Sequence, residues 1–399
     1  MKPRILIVHS HFLPGEKVGG SAFSIAAQVQ ALHGDFEFRL LTSDRDINDP
    51  TPYEGILRDE WLDGNGMRVM YLSPPGRSLL NLWKLVSETE YDLLYLTSCF
   101  SRRFSILPAL LWRLGLARHV PLVIAPRGEF SRGALAIKPR RKRLFLLFAA
   151  AIGLYRGVRW HASTTLEQED IHSALLTNSD IVIARDLILD RTRDAEIVRE
   201  PKVAGQLRAA FLSRISRKKN LDGALRILSN VRGTVVLSVY GAIEDRGYWT
   251  ECEALVSKLP SNVTVRYYGQ IAHAAVPNVF GRNDLFLFPT HGENFGHVIL
   301  EALLAGCPVL LSDQTPWRDL AASCAGWDLP LADSRGFVGV IEHCVAMTDQ
   351  EHRQWSTGAR VLGQREAHDP LAVEQNRRLF FDLLEEQLQA SASGTRGRL

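Results

Sequence analysis

Short apolar runs alternate with helical stretches along almost the whole of this 399-residue chain, and this alternation limits its fold more than any other feature. The pattern is typical of parallel β-sheets that are covered by helices. The runs predicted to be strands are 5–8, 36–41, 93–96, 122–125, 181–184, 207–212, 235–240, 263–268, 285–288 and 309–311. The main helices predicted between them are 21–32, 104–114, 221–230, 248–259 and 296–305. The sequence therefore predicts an α/β fold.

The length of the chain favours two domains, each with its own core. We predict one Rossmann-like domain over residues 1–195 and a second over 196–370, with the boundary in the charged, aperiodic stretch 191–205. Residues 371–390 are expected to form a long helix, and the Ser-, Gly- and Arg-rich tail 391–399 is expected to be disordered. Two such domains would face each other across a cleft, and open α/β sheets bind ligands at the carboxyl ends of their strands.

Composition excludes several classes of protein. A net charge of +3 is too small to argue for a nucleic-acid partner, and no run approaches the roughly 20 apolar residues of a membrane span. Four apolar residues near the N-terminus are too few for a signal peptide. The five cysteines are scattered and show no CxxC spacing, and the histidines show no metal-ligand spacing. A cytoplasmic protein without a metal site is therefore expected.

Two carboxylates eight residues apart, Glu293 and Glu301, are the most informative candidate site residues. Glu293 lies in a glycine-containing loop after an apolar run, and Glu301 is expected roughly two turns inside the helix that follows. The N–H groups of residues 294–297 would stand at the start of that helix, where anions bind well. A nucleotide sugar needs this combination, because it has hydroxyl groups at both ends and a diphosphate between them.

A basic loop, 213–220, follows the predicted strand 207–212. Its cations suit a diphosphate, since fixed positive charge stabilises a leaving phosphate as its bond breaks. Asn220 is expected to cap the next helix. A solvated basic turn is the alternative, and Arg214 and Lys219 are the two cations on which the functional interpretation depends.

Gly19 and Gly20 lie in a loop between the first predicted strand and its helix, where a phosphate could approach the backbone. The loop has neither the GxGxxG nor the GK[ST] pattern, so a plain turn is the more common explanation. Trp317 is expected to be a packing aromatic rather than a sugar platform.

The paired glutamates, the Arg214–Lys219 pair and the N-terminal Gly-Gly loop together resemble the retaining glycosyltransferases of family 4, the group 1 transferases. The resemblance covers most of the chain and is strongest over 207–330. It implies the GT-B fold, in which two Rossmann-like domains face each other and the C-terminal helix packs back on the N-terminal domain. It also implies an acceptor-side first domain and a donor-binding second domain.

The resemblance assigns roles to individual residues. Glu293 would contact hydroxyl groups of the donor sugar, Glu301 would bind the ribose, and Arg214 and Lys219 would grip the diphosphate. The remaining donor-binding candidates are Gly19, Gly20, Gly269, Asn294, Phe295, Gly296 and His297. His297 could equally be an ordinary exposed residue of the first helical turn.

Arg127 stands where many members of that family have a histidine in the N-terminal domain. It follows the predicted strand 122–125 in the sequence Ala-Pro-Arg-Gly-Glu. The departure keeps a cation on the acceptor side, but it removes the neutral proton acceptor that a histidine would supply.

Five cations in the six residues 138–143 precede an almost wholly apolar run, 144–154. Such a segment can rest on an anionic membrane surface, although it is too short to span one. The alternative, which we slightly favour, is a core helix whose exposed first turn is basic.

The resemblance implies transfer of a sugar from a nucleotide diphosphate donor, a UDP-sugar first and GDP-mannose next, with retention and without a metal or other cofactor. The expected acceptor is a hydroxyl of a glycan or a lipid-linked glycan in polysaccharide or envelope biosynthesis. A nucleotide-sugar epimerase of the same fold is one alternative, and it would consume donor without an acceptor. A non-catalytic nucleotide-sugar-binding scaffold is the other.

Overall fold

The computed structural model describes residues 2–175, 180–188 and 197–392. The chain forms two compact units: unit 1 comprises Met1–Leu189 with Pro370–Leu399, and unit 2 comprises Asp190–Asp369. Within the predicted linker 191–205, residues 191–196 lie outside the described residues, as do residues 393–399 of the tail predicted to be disordered.

Among its described residues, unit 1 contains one eight-stranded sheet. Its strands are β1 (Arg4–Val8), β2 (Glu37–Ser43), β3 (Trp61–Gly64), β4 (Met67–Leu72), β5 (Leu93–Leu96), β6 (Leu122–Ile124), β7 (Arg159–Ala162) and β8 (Ile181–Ile183). Their order is β3-β4-β2-β1-β5-β6-β7-β8, and every neighbouring pair is parallel except the antiparallel pair of β3 and β4. Helices cover both faces. They include α1 (Gly20–Leu32), α2 (Leu79–Glu88), α3 (Leu107–Arg113), α4 (Arg132–Leu135), α5 (Pro139–Ala151) and α6 (Thr165–Leu175).

Unit 2 contains, over its described residues, a wholly parallel six-stranded sheet. Its strands are β9 (Gln206–Leu212), β10 (Thr234–Tyr240), β11 (Val263–Tyr267), β12 (Leu285–Phe288), β13 (Val309–Ser312) and β14 (Gly326–Leu329), in the order β11-β10-β9-β12-β13-β14. Its helices include α7 (Leu221–Leu228), α8 (Arg246–Val256), α9 (Val276–Gly281), α10 (His297–Leu304), α11 (Ser334–Ala346) and α12 (Asp349–Ala367).

The strand order of unit 2 reverses between β9 and β12. The chain leaves β9 in one direction, toward β10 and β11, and returns on the other side of β9 as β12. These two strands are paired only at Leu285 with Ala209 and at Phe286 with Ala210. The loops that follow these two strands lie at this switch point, which is where open α/β sheets bind ligands.

The last helix, α13 (Pro370–Ala392), belongs to unit 1 and packs against α1. The ring of Phe380 meets the rings of Phe36 and Tyr95, each at a centroid distance of 5.5 Å. Gln28 of α1 donates a hydrogen bond of 2.8 Å from its amide nitrogen to the side-chain oxygen of Asn376. The predicted return of the terminal helix to the first domain is therefore confirmed.

Candidate functional site

A buried ion pair stands at the switch point of unit 2. Lys219 ends a 3-10 turn after β9, and Glu293 lies in the loop after β12. Their Nζ and Oε1 atoms are 2.6 Å apart, and the two side chains are only 14% and 10% exposed. The lysine ammonium also lies 5.4 Å from the ring centroid of Phe288. Two residues that are 74 positions apart in the sequence thus form one charged site.

Hydrogen bonds between the two loops hold this pair in place. Thr290 donates from its hydroxyl to Glu293 Oε1 at 3.2 Å, and the backbone N–H of Glu293 donates to Gln314 O at 3.0 Å. His291 N–H reaches across to the carbonyl of Lys218 at 2.9 Å. The carboxylate is therefore positioned by the backbone of its surroundings rather than by the lysine alone.

Glu293 is a carboxylate at neutral pH. Burial by itself would raise the pKa of Glu293, but attraction to Lys219 and Lys218, with the hydrogen bonds from Lys219 and Thr290, outweighs it and lowers the pKa. The group can accept hydrogen bonds from hydroxyl groups, and it is a weak proton acceptor.

The same loop architecture corrects the role predicted for Asn220. This residue occupies the position before α7 with a left-handed backbone, and its side chain makes no capping hydrogen bond to that helix. Instead its amide nitrogen donates to Pro289 O at 2.7 Å. The side chain therefore ties the β9 loop to the β12 loop.

Glu301 lies on α10, which begins at His297 rather than at residue 296. It stands four residues into the helix, about 6 Å or one turn from the start, so the expected two turns is wrong. Its Oε1 is 2.8 Å from His273 Nε2, and the side chains are 22% and 32% exposed. His273 was not predicted, because nothing in the sequence links it to a carboxylate 28 residues later.

The residues that lead into α10 are tightly packed. Phe295 is buried, its carbonyl accepts a 2.7 Å hydrogen bond from the indole N–H of Trp317, and its ring lies near that of His297. Trp317 is itself 7% exposed, which confirms it as a packing aromatic. Gly296 has a φ of 82°, and a side chain there would approach Ile299. Asn294 precedes this cluster.

Two glycines stand at the carboxyl ends of neighbouring strands in unit 2. Gly269 follows β11, has a φ of 75°, and accepts a 2.8 Å hydrogen bond from the N–H of Gly241. Gly241 follows β10, and a Cβ on it would lie 1.8 Å from the carbonyl oxygen of Ser213. Sequence reasoning missed Gly241, although a glycine directly after a strand is the signal that could have found it.

Arg214 is placed differently from Lys219. Its guanidinium pairs with Glu244 at 3.0 Å, and these two side chains are 55% and 50% exposed. The structure therefore brings Lys219 and Glu293 together, whereas Arg214 forms a surface ion pair. Its predicted contact with a diphosphate stays a prediction.

In unit 1, Gly19 and Gly20 form the start of α1, Gly19 with an extended backbone and Gly20 as the first helical residue. A Cβ on Gly19 would meet open space, and no side chain caps the helix there. This start is accessible to an anion, but the glycine at position 19 is not required by its backbone conformation.

Arg127 is a buried member of a hydrogen-bonded chain in unit 1. Its side chain is 8% exposed and forms an ion pair with Asp186, which is 3% exposed. The other end of its guanidinium donates to the hydroxyl oxygen of Tyr95 at 2.8 Å. Tyr95 and His161 are linked at 2.7 Å, and His161 Nε2 reaches Ala184 O at 2.7 Å. Since the carbonyl can only accept, His161 donates from Nε2 and accepts the Tyr95 proton at Nδ1.

Two neutral histidines lie near this cation. Burial, with further contributions from Arg127, lowers the pKa of both His9 and His161 to about 3. His9 Nδ1 lies 2.6 Å from the hydroxyl of Thr97. Unit 1 therefore holds two buried neutral imidazoles, although neither stands at the position of Arg127.

Helix α5 is the predicted basic-apolar segment, and it is only partly the core helix that was expected. Phe145, Leu146 and Ala149 pack on the core of unit 1. Leu144, Leu147 and Phe148 are 67%, 57% and 61% exposed, so the other side of the apolar run faces solvent. No helix in the described part of the chain is long and apolar enough to cross a membrane.

The described residues contain no group of three His, Cys, Asp or Glu side chains that could hold a metal ion. The expected independence of metal remains a prediction.

Part of the chain is similar in sequence to proteins of known function. Residues 192–330 match the model of the group 1 glycosyl transferases. The chain is 27% identical over 175 residues to the O-antigen chain mannosyltransferase B of Escherichia coli, covering 42% of this chain and 44% of that protein. It is 27% identical over 168 residues to a GDP-mannose-dependent alpha-mannosyltransferase of Mycolicibacterium smegmatis, covering 42% of this chain and 41% of that protein. The matched stretch thus spans less than half the length of either relative.

The fold extends the likeness to the whole chain. Sucrose-phosphate synthase from Thermosynechococcus elongatus superposes with a TM-score of 0.69 over 98% of this chain and 100% of that chain, at 16% sequence identity. At such low identity the superposition shows the fold alone, which is GT-B. Residues 192–330 are therefore similar to the group 1 glycosyl transferases in sequence, and the chain has the GT-B fold.

Proposed function

We propose that this protein is a retaining glycosyltransferase that moves a sugar from a nucleoside diphosphate donor to a hydroxyl of a glycan or lipid-linked glycan. The observation that carries the proposal is the buried Lys219–Glu293 pair at the strand-order switch of unit 2. The ammonium of Lys219 can bind a phosphate, and the carboxylate of Glu293, 2.6 Å away, can accept hydrogen bonds from sugar hydroxyl groups. Together they match the two ends of a sugar phosphate.

Each member of the pair has a role in this reaction. The Lys219 ammonium has three N–H bonds, of which Glu293 engages one, so it can also donate to phosphate oxygens. Its charge stabilises the negative charge that develops on the leaving diphosphate. The carboxylate of Glu293 accepts hydrogen bonds from sugar hydroxyl groups, and Glu301 accepts those of the ribose.

The lowered pKa of Glu293 favours a mechanism in which this residue does not take the acceptor proton. The acceptor oxygen attacks the anomeric carbon on the face from which the diphosphate leaves. The bond between that carbon and the phosphate oxygen breaks with its electron pair going to the phosphate. The same phosphate oxygen takes the proton of the acceptor hydroxyl, and the anomeric configuration is retained.

The family resemblance and the matched relatives favour different donors. The family 4 resemblance favours a UDP-sugar, whereas the matched relatives are a mannosyltransferase and a GDP-mannose-dependent enzyme, which favours GDP-mannose. A screen of nucleotide sugars by thermal stabilisation separates them, since a ligand that binds only the folded protein raises its melting temperature.

The acceptor is proposed to be presented at a membrane, as in the assembly of envelope polysaccharides. The exposed apolar residues of α5 follow a first turn that contains Arg140, Arg141 and Arg143. A helix that exposes apolar side chains beside a cluster of cations can rest on an anionic lipid surface, where each cation near the surface contributes about 1 kcal/mol.

The activity is tested by incubating the protein with the stabilising donor and candidate acceptors, with and without a chelator. Retained anomeric configuration in the product, and full turnover with the chelator, are expected. Lys219→Met and Glu293→Gln should each reduce turnover per folded molecule at least about 100-fold, while the exposed Lys258→Ala should not. Consumption of donor without an acceptor would instead indicate an epimerase, and turnover unaffected by Lys219→Met would refute the assigned roles.

A further inference from the structure

The exposed apolar surface of unit 1 does not end with α5. Leu79 and Leu80, at the start of α2, are 62% and 73% exposed, and Trp83 one turn later is 43% exposed. These residues are three or four positions apart, or adjacent, so they share one side of the helix. Leu82 and Val86 of the same helix are buried in the core.

Hydrogen bonds connect this side of α2 to the turn that follows α3. The indole N–H of Trp83 donates to Leu116 O at 3.2 Å, and Ser87 donates from its hydroxyl to the same carbonyl at 2.8 Å. Leu114 and Leu116 themselves are 60% and 50% exposed. The apolar side chains of α2 and of this turn are therefore neighbours.

The same turn reaches the end of α5. Arg113, the last residue of α3, donates from Nε to Gly153 O at 2.9 Å, just beyond the end of α5. Ile152, beside that glycine, is exposed, as are Phe148 and Leu144 four and eight positions before it. Three separate segments of the chain thus meet through backbone carbonyls and expose large apolar side chains.

The segment that holds the 113–116 turn and α5 is strongly basic. Residues 93–166 contain thirteen Lys and Arg but a single acidic residue, Glu129, whereas the whole chain has a net charge of only +3. Helix α2 adds no net charge, since it contains Lys84 and Glu88. Glu129 is turned inward, where it accepts hydrogen bonds from Ser98 and from the N–H of Cys99. A soluble acidic protein would also match the charge, but the combination of exposed Leu, Phe and Trp with basic residues favours a bilayer interface, where aromatic rings and long cations are most stable.

We infer that α2, the 113–116 turn and α5 form one docking face for an anionic lipid bilayer. This inference rests on the proposed membrane-bound acceptor and extends it, because it makes the contact a broad face rather than a single helix. Three points of attachment would fix the orientation of unit 1 on the membrane, whereas one helix would leave it free to rotate about its axis. Trp83 would lie at the level of the lipid headgroups.

Co-sedimentation of the full chain with phosphatidylglycerol-containing vesicles tests the inference, with pure phosphatidylcholine vesicles as the reference. Leu79→Ser with Leu80→Ser should weaken binding about tenfold, as should Leu144→Ser with Leu147→Ser on α5. Val361→Ser, on an equally exposed residue of unit 2, should leave binding unchanged. These positions are exposed, so the variants are expected to fold, and their melting temperatures check this.

The tryptophan provides a second readout. Vesicles that carry bromine on their acyl chains quench indoles near the bilayer, so the wild-type protein should be quenched more than Trp83→Phe. The inference would be overturned if the α5 variant lost binding while the α2 variant kept it, and if the wild-type protein and Trp83→Phe were quenched equally. That result would show that α2 does not touch the membrane. Binding to neither kind of vesicle would overturn it as well. The assay needs no donor, so an inactive protein that still bound vesicles would refute the proposed transfer reaction and leave the docking face standing.

Discussion

Replacing Lys219 with methionine removes one charge of the buried pair in unit 2 while keeping most of the side-chain volume. Glu293, only 10% exposed, would then be an uncompensated buried carboxylate. Removing one partner of a buried ion pair costs about 3 kcal/mol or more, since the remaining charge loses both water and its counter-ion. We therefore expect the free energy of unfolding to fall by about 3 kcal/mol at pH 7.

The pH dependence of this loss gives the sharper test. In the wild-type protein the folded pKa of Glu293 lies below its unfolded value of about 4.3, so its stabilising contribution is present above that pH and is lost as pH falls through the folded pKa. In Lys219→Met, burial is the larger influence and should raise the folded pKa above the unfolded value. Protonation on acidification then relieves the penalty, so the difference between the two proteins should shrink from pH 7 to pH 4.5.

Urea unfolding at several pH values measures both quantities. The double variant Lys219→Met, Glu293→Gln carries no buried charge at either position, and it should recover part of the lost stability at pH 7. A destabilisation that is the same at pH 7 and pH 4.5, or a double variant no more stable than Lys219→Met, would refute this account of the pair.

Three further outcomes are expected. Gly241→Ala should destabilise unit 2 by several kcal/mol, because its Cβ would overlap a carbonyl oxygen at 1.8 Å. Gly269→Ala has open space around its Cβ and should cost only about 1–2 kcal/mol, for its left-handed backbone. The melting temperatures of the two variants test this difference. His273→Ala should weaken nucleotide-sugar binding about fivefold by removing the partner of Glu301, the carboxylate proposed to bind the ribose, and unchanged affinity by calorimetry would count against that role. The pKa of His9 and of His161 in the folded protein is about 3, so below about pH 6.5 the unfolded chain binds protons that the folded chain does not. The free energy of unfolding should therefore fall by about 4 kcal/mol between pH 7 and pH 5. A urea midpoint that does not change over this range would contradict this.

The predicted strands were confirmed in both sheets. Those buried on both faces appear in the sequence as continuous apolar runs, as in Leu93–Leu96 and Leu285–Phe288, and they can be found without knowledge of their neighbours. The partly exposed Val263–Tyr267 was found as well. Four of the described strands were missed: Trp61–Gly64, Met67–Leu72, Arg159–Ala162 and Gly326–Leu329. Met67–Leu72 is mostly buried, so its apolar pattern was present and was overlooked. Trp61–Gly64 pairs antiparallel at the sheet edge and is partly exposed, and Arg159–Ala162 is short and contains Arg and His, so the strand conformation of these two depends on pairing with neighbours, which local sequence does not record.

In the candidate site, too, local features could be predicted from the sequence and the contacts between distant residues could not. The segment around Glu293 was found because its residue types and spacing match those of a known family, and its loop and helix are local structures. The partners of the charged groups could not be found in this way. Arg214 pairs with Glu244, and Glu301 pairs with His273, because loops after different strands converge at one edge of the sheet.

By itself, the sequence determined the α/β class, two sheets with helices between their strands, and the two-glutamate motif, because each of these depends on residues near one another in the chain. Only the tertiary structure decided which charges are buried and which apolar residues face solvent. Nothing near Arg127 in the sequence indicates that it is a buried partner of Asp186, while Leu144, Leu147 and Phe148 of α5 are exposed although the run was expected to be core. Burial depends on what the rest of the chain places against a residue, and it sets both the pKa of a charged group and the surface that an apolar one offers to a partner.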